Sequence, residues 1–360
     1  MKRRAFITGI TGQDGSYLAE YLIGKGYEVY GLMRRTSLDP MMRLESVMKS
    51  GKLKLLYGNL RDAASLARAL QESKPDEIYN LGAQSDVGIS FKIPEETMDV
   101  NYHGLGRLIN EATRISGAVK IFHASTGDFF LRAHPPQNEV AVRHASSPYG
   151  ESKLRAYEDF VKDYRDRRHV FISSGFMFNH ESPRRGEHFV TRKISRAMAK
   201  IKLGLSKDFS LGNLDAHRDW GYAGDYVKAM HLMLQAKTPS DYVIGTGEVN
   251  SVRTFVEASA RELGMSLTWK GSGMKEVGQV KGKTILTINK EFYRPPEADY
   301  LLADISKVRR ELGWKPEVDF QGLVSMMVRA DVESLRHLAR PARGKASKGS
   351  STNNLKGIRG

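Results

Sequence analysis

Residues 5–15 read Ala-Phe-Ile-Thr-Gly-Ile-Thr-Gly-Gln-Asp-Gly. Ala5–Thr8 is apolar and short, as a buried strand is. From Asp14 to Lys25 the apolar side chains Leu18, Tyr21, Leu22 and Ile23 recur at helical spacing, and Gly26 closes the run. Gly9, Gly12 and Gly15 fall in the turn between the two, spaced G-x-x-G-x-x-G. Glycines let the chain turn sharply and let a pyrophosphate approach the backbone, where the N-terminus of the following helix favours an anion. A tight turn without a ligand would use glycines too. The strand–turn–helix setting favours a dinucleotide.

Outward from this turn, strand and helix patterns alternate. Strands are predicted at Glu28–Met33, Leu53–Tyr57, Glu77–Leu81, Val119–Ala124 and His169–Ser174. Helices are predicted at Ala63–Glu72, Thr97–Ile115 and Pro148–Arg165. This alternation predicts an α/β fold, a Rossmann-type doubly wound parallel sheet with ligands at the carboxyl ends of its strands. After about Gly175 the pattern loosens, with helices at Thr191–Leu203, Asp225–Leu234 and Val252–Leu263. We expect a nucleotide-binding domain over 1–175, rejoined by 215–240. A smaller interleaved α/β substrate lobe is expected over 176–338, and a basic disordered tail over 339–360.

Composition narrows the chemistry. The 360 residues include no cysteine, which excludes disulfides, cysteine-ligated metals and cysteine nucleophiles, and suits a reducing cytoplasm. Hydrophobic residues make up 40% and charged residues 27%, as in a soluble globular protein. No apolar run is long enough for a membrane span. The net charge is +15, six units of it from Arg340, Arg343, Lys345, Lys348, Lys356 and Arg359 in the tail. That charge suits a phosphorylated substrate, and no nucleic-acid-binding motif accompanies it. No metal site is expected: His180 and His188 read as solvent or loop histidines. Asp219 and Trp220 read as packing and helix-capping residues.

Two further signals bear on reaction type. The second strand ends in Met33-Arg34-Arg35-Thr36, with no acid to hold a ribose 2′-hydroxyl, and arginine accommodates the 2′-phosphate of NADP. Tyr149 and Lys153, at i and i+4, share one helix face. A phenol has an ordinary pKa of about 10, and a neighbouring ammonium would favour the phenolate. Such a tyrosine takes a proton from a sugar hydroxyl while hydride leaves the same carbon. Ser125 and Thr126, ending the fifth strand, offer hydroxyls to the reacting oxygen.

With these elements in place the chain resembles the extended short-chain dehydrogenase/reductases (the NAD-dependent epimerase/dehydratase superfamily), and within them the GDP-mannose 4,6-dehydratase family. The stretches that carry the resemblance include "FITGITGQDGSYLAEYL", "SPYGESK", "FNHESPRRGEHFVTRKI", "RDWGYAGDYVKAM" and "YRPPEADYLLAD", in order over roughly residues 5–330. The resemblance implies cofactor contacts from Gly9, Gly12, Gln13, Asp14, Gly15, Arg34, Asn59, Leu60, Leu81, Ala83, Ser85, Tyr149 and Lys153. It also implies a GDP-sugar held by Ser85, Ser125, Asn179, Lys193, Arg218, Arg294 and Glu297. The Ser182–Gly186 loop, with Arg184, resembles a segment that in the family reaches a neighbouring subunit's cofactor, which implies a homodimer or homotetramer. Asp86 stands where the family reads His, and Asn59 where it reads Asp.

The implied catalytic set is Thr126, Asp128, Tyr149 and Lys153. Tyr149 would deprotonate the mannose O4, a carboxylate would remove the C5 proton, and water would leave from C6. The family's "STSE" is here Ser125-Thr126-Gly127-Asp128, followed by Phe129-Phe130. The carboxylate therefore sits on a side chain one methylene shorter. Either Gly127 lets the backbone move inward, or the two phenylalanines desolvate Asp128 and raise its pKa. Three readings stay open: a GDP-mannose 4,6-dehydratase; a related GDP-sugar dehydratase (a GDP-heptose enzyme, for example), reductase or epimerase; and a weakly active GDP-sugar-binding paralogue.

Overall fold

The structure, a computed structural model, describes residues 2–37, 40–292 and 300–339. Six strands follow one another through the first half of the chain: β1 (Arg4–Thr8), β2 (Glu28–Met33), β3 (Leu53–Tyr57), β4 (Glu77–Asn80), β5 (Lys120–Ala124) and β6 (Ile172–Met177). A seventh, Tyr242–Ile244, joins β6. All pair in parallel, in the order Tyr242–Ile244, β6, β5, β4, β1, β2, β3. The order reverses between β1 and β4, which is where a doubly wound sheet opens a crevice for a ligand. The central strands read as nearly continuous apolar runs because helices cover both their faces. On one face the helices Gln13–Gly24 and Ala223–Gln235 pack together, and Ala63–Ser73 packs against Gly104–Ile115.

β6 lies three residues further on than its sequence pattern predicts. Ser173, Ser174 and Gly175 look like the end of an apolar run, yet both serines are fully buried and the strand continues through Phe176 and Met177. Its predicted start is a turn instead, with His169 at φ 56°. The helix begun at Pro148 is α-helical to Arg155 and then more loosely wound, with π turns over Ala156–Val161 and Asp163–Arg167.

The second lobe has its own core. Ile194, Met198, Trp220, Phe255, Leu323 and Met327 are all buried in one cluster, where the helices Val190–Lys202, Val252–Glu262 and Phe320–Leu335 meet. Trp220 packs as expected, edge-on to Phe255. Asp219 does not cap a helix. Fully buried, it accepts hydrogen bonds from Thr246 N and Oγ1 (2.8 and 2.7 Å), Gly247 N (2.9 Å) and Ala303 N (3.2 Å). It thereby ties the Trp220–Tyr222 strand to the chain leaving the seven-stranded sheet. No helix among the described residues is long and apolar enough to cross a membrane.

Candidate active site

A cleft of about 1010 Å³ runs along the carboxyl ends of the strands and between the lobes. Its floor is the glycine turn. Gly9, at φ 70°, lies against the next crossover: a Cβ there would come within 2.8 Å of Gly82 N. A Cβ on Gly15 would sit 2.4 Å from Gly9 O. The Gln13–Gly24 helix has Gly12 as its N-cap and no side-chain cap hydrogen bond. Bare backbone N–H groups at a helix N-terminus, on a surface that excludes side chains, fit a pyrophosphate. The residues present therefore fit a dinucleotide.

The sequence-predicted cofactor residues gather around this floor. Gly9, Gly12, Gln13, Asp14, Gly15, Arg34, Asn59, Leu60, Leu81, Ala83 and Ser85 all line the cleft. Asp14 is also engaged from behind. Its Oδ2 lies 2.9 Å from His180 Nε2, while His180 Nδ1 lies 2.7 Å from the Phe178 carbonyl. His180 is thus no solvent or loop histidine; it is a part-buried strand residue on the cleft wall. Burial opposes its charge, but the Asp14 carboxylate outweighs burial and holds His180 above its ordinary pKa. Asp14 is correspondingly lowered, against burial, by His180. Asp62, beside the expected adenine position, caps the Ala63–Ser73 helix through Ala64 N and Ser65 N. Among the described residues no group of three or more His, Cys, Asp or Glu is placed to hold a metal ion.

The opposite wall carries the sequence-predicted catalytic residues. Ser125, Thr126 and Asp128 leave the end of β5, and Tyr149 and Lys153 project from the Pro148–Arg155 helix; all five line the cleft. Thr126 Oγ1 accepts from Asp128 N at 3.0 Å, and its hydroxyl lies near the Tyr149 phenol. Burial pushes Tyr149 up to about 12, and the neighbouring Thr126 hydroxyl offsets only part of this. Spacing assigns Lys153 the task of lowering that phenol. Here its ammonium instead donates to the Ala124 carbonyl at 2.8 Å, and burial brings it down to about 8. The unliganded tyrosine therefore remains a phenol.

Asp128 is half-buried at the start of a single tight turn. Phe129 and Phe130 turn away from it into the core, edge-on to each other and to Phe176. They do not wrap the carboxylate. Gly127 has a packing reason: a Cβ there would meet the Phe178 ring at 3.0 Å. The surroundings of Asp128 are polar. Ser147 Oγ lies 3.4 Å from its Oδ2, and a Cβ on Gly150 would come within 3.2 Å of the same oxygen. The carboxylate therefore sits over the N-terminus of the very helix that carries Tyr149 and Lys153.

Toward the second lobe, Asn179, Lys193 and Arg218 line the cleft. The Lys193 ammonium lies 3.5 Å from the Phe292 ring centroid, and burial lowers its pKa. Arg294 and Glu297 lie outside the described residues. Arg184 reaches the chain's own first helix, donating to Ser16 Oγ (3.1 Å) and Glu20 Oε1 (2.6 Å) over the Tyr17 ring. The sequence reading passed over Arg43, which donates to the carbonyls of Arg184 (2.8 Å) and Thr11 (3.3 Å) at the rim of the same cleft. Nothing around Met41-Met42-Arg43 signals this, because only the fold of the β2–β3 connection brings it to the cradle. Arg185 belongs to the arginine-rich Ser182–Gly186 loop. It lines the cleft beside Tyr149, with its Nε 3.1 Å from Glu181.

The sheet order, the glycine cradle and the Tyr-Lys helix together define an extended short-chain dehydrogenase/reductase fold built for a nicotinamide dinucleotide. Among solved structures, a dTDP-glucose 4,6-dehydratase of Streptomyces venezuelae shares this fold with TM-score 0.77 and 21% identity, over 93% of this chain and 98% of that one. The family model described as GDP-mannose 4,6 dehydratase matches residues 6–327. A GDP-mannose 4,6 dehydratase of Cricetulus griseus is 50% identical over 93% of each chain, and that of Homo sapiens is 50% identical over 92% of each. The chain belongs to the GDP-mannose 4,6-dehydratase family.

Proposed function

We propose that this protein converts GDP-mannose to GDP-4-keto-6-deoxymannose and water, using NADP that is regenerated in each turnover. The observation that carries the reading is the gathering of Tyr149, Thr126 and Asp128 on one wall of a cleft whose floor fits a dinucleotide. A phenol and a carboxylate side by side are the two bases needed, one for an O–H and one for the adjacent C–H.

NADP, rather than NAD, is supported by Arg34 at the end of β2, with Arg43 on the same rim and no carboxylate among the described residues of the β2 terminus. When bound, the dinucleotide supplies the reversible hydride exchange that oxidation at C4 and reduction at C6 require. Lys193, Arg218 and Asn179 would hold the GDP-sugar, the cations matching its diphosphate. Tyr149 takes the O4 proton, assisted by Lys153 and by the hydroxyls of Ser125 and Thr126. Once C4 is a ketone the C5 proton is acidic, and Asp128 removes it. The C6 hydroxyl then leaves as water, taking the proton that Asp128 holds; C6 is reduced, and C5 takes a proton from Tyr149, so that O4 remains a ketone oxygen. Atoms balance as loss of one water, with no net oxidation.

The Ser182–Gly186 loop and the superfamily fold support a homo-oligomer, and the cysteine-free sequence supports a cytoplasmic enzyme. The decisive experiment incubates purified protein with GDP-mannose and catalytic NADP in deuterated water. Mass spectrometry should show a product that has lost one water and carries solvent deuterium at C5. Failure to lose water at any enzyme concentration overturns the reading. Asp128→Asn should abolish C5 exchange, whereas Asp128→Glu, which restores the family's longer side chain, should retain it.

A further inference from the structure

A row of polar side chains crosses the middle of the sheet. Register sets Thr8 of β1 beside Asn80 of β4, Asn80 beside His123 of β5, and His123 beside Ser174 of β6. Partners in a parallel ladder point to the same face. All four are buried, none more than 2% exposed.

The direction of every bond in the row follows from its cradle end. Leu81 N and Gly82 N both donate to Thr8 Oγ1, at 3.1 and 2.9 Å. The Thr8 hydroxyl therefore donates onward to Asn80 Oδ1, at 2.7 Å. That leaves the Asn80 amide nitrogen, which only donates, 3.3 Å from His123 Nδ1. A neutral imidazole accepting at Nδ1 carries its proton on Nε2. Burial and the nearby Lys153 charge keep the ring neutral, well below its ordinary pKa.

Among the described residues, the His123 Nε2–H has no protein partner. Neither has Ser174 Oγ beside it, nor Ser125 Oγ two residues along β5 on the same face. Lys153 is 3% exposed and offers three N–H donors. Among the described residues it bonds only to Ala124 O, and no carboxylate pairs with it. The other charged groups at this end of the cleft, Asp128, Asp14 and Arg185, bear on Tyr149. Two surplus donors and two unpartnered hydroxyls thus lie along the same end of the row, with Lys153 close enough for its charge to act on His123.

We propose that His123 Nε2, Ser174 Oγ, Ser125 Oγ and Lys153 Nζ enclose a buried water that accepts from His123 and Lys153 and donates to the two serines, making His123 a positioning residue for Lys153. Four polar partners fill the bonding capacity of a water, above the usual number for a buried one. The row then links the backbone N–H groups of the cofactor cradle to the ammonium beside Tyr149. The inference rests on the Tyr149–Lys153 pair being catalytic, as proposed above.

Two substitutions at His123 separate bonding from bulk. His123→Gln keeps an acceptor for Asn80 and a donor for the water; His123→Phe keeps only a ring. The Lys153 titration is read by NMR on full-length protein labelled at lysine Cε, without substrate, with Lys153→Met assigning the signal. Native protein and His123→Gln should titrate near pH 8. His123→Phe should titrate roughly one unit lower, because an ammonium stripped of an acceptor is less stable. The alkaline limb of kcat should move with it, kcat falling about twofold at pH 7 and about tenfold at pH 9 with KM unchanged. An unchanged titration in folded His123→Phe overturns the proposal. If that variant does not fold, Ser174→Ala serves, with a smaller shift in the same direction expected and no shift counting against. Because the titration needs no turnover, a shift seen in a protein that fails to dehydrate GDP-mannose upholds the water site and overturns only the substrate reading.

Discussion

Two helices point their N-termini into the same cleft, and they are built in opposite ways. The Gln13–Gly24 helix is capped by a glycine with no side-chain bond, behind a turn packed so tightly that a Cβ cannot enter. The Pro148–Arg155 helix is capped by Ser147, whose Oγ accepts from Gly150 N at 3.0 Å, and it opens with proline at its first position. The first end is left bare for an anion from outside. The second is closed by its own side chain and meets an anion the protein supplies, the Asp128 carboxylate. A helix terminus becomes a ligand site or a catalytic scaffold according to whether its cap comes from the ligand or from the sequence.

Four measurements bear on that contrast. The largest effect is expected at the scaffold end. Tyr149→Phe removes the proton acceptor and should lower kcat about 10³-fold while NADP affinity, read by fluorescence titration, holds. At the ligand end, Gly15→Ala should do the reverse. The added methyl would sit 2.4 Å from Gly9 O and distort the cradle. Overpacking of this kind costs roughly 1–3 kcal/mol, which should weaken NADP binding about 10- to 100-fold. If instead Gly15→Ala lowered kcat alone, the division of labour between the two ends would be wrong.

Titration comes next. With Lys153 brought down to about 8, kcat should fall about tenfold between pH 7 and pH 9 as its charge is lost. Stability moves the other way. The folded pKa lies below the ordinary 10.5, so the unfolded chain binds more protons between those values. The unliganded protein should therefore gain stability as pH rises from about 8 to about 10.5, measured by urea unfolding. The smallest effect belongs to the cap. Ser147→Ala should cost about 1 kcal/mol in urea unfolding. Because Ser147 also touches Asp128, C5 deuterium exchange should slow more than O4 oxidation.

Most of the fold and half of the site were legible in the sequence. The G-x-x-G-x-x-G turn and the i, i+4 pair are local patterns, and local patterns map directly onto one strand end or one helix face. Legibility failed where a residue's meaning depends on a distant partner. His180 looked like a loop histidine because nothing in Asn179-His180-Glu181 points to Asp14, 166 residues earlier. The role of Phe129 and Phe130 was misjudged for the same reason. Their neighbours in sequence include Asp128, but their neighbours in space are Phe176 and Phe178. The end of β6 was missed because buried serines look polar in a sequence, while in the fold Ser174 lies beside His123.

The chain leaves the seven-stranded sheet after β6, contributes Asn179–Glu181 and Val190–Lys202 to the substrate side, and returns with Ala223–Gln235 and Tyr242–Ile244. It then departs again, and the buried Asp219 fastens the crossing at Thr246, Gly247 and Ala303. Neither lobe is a contiguous stretch of sequence, so no single crossover between two homologous genes can exchange one lobe whole. Recombining substrate preference with cofactor preference in this architecture has to proceed by loops and point changes around the cleft, with the Asp219 crossing inherited intact from one parent.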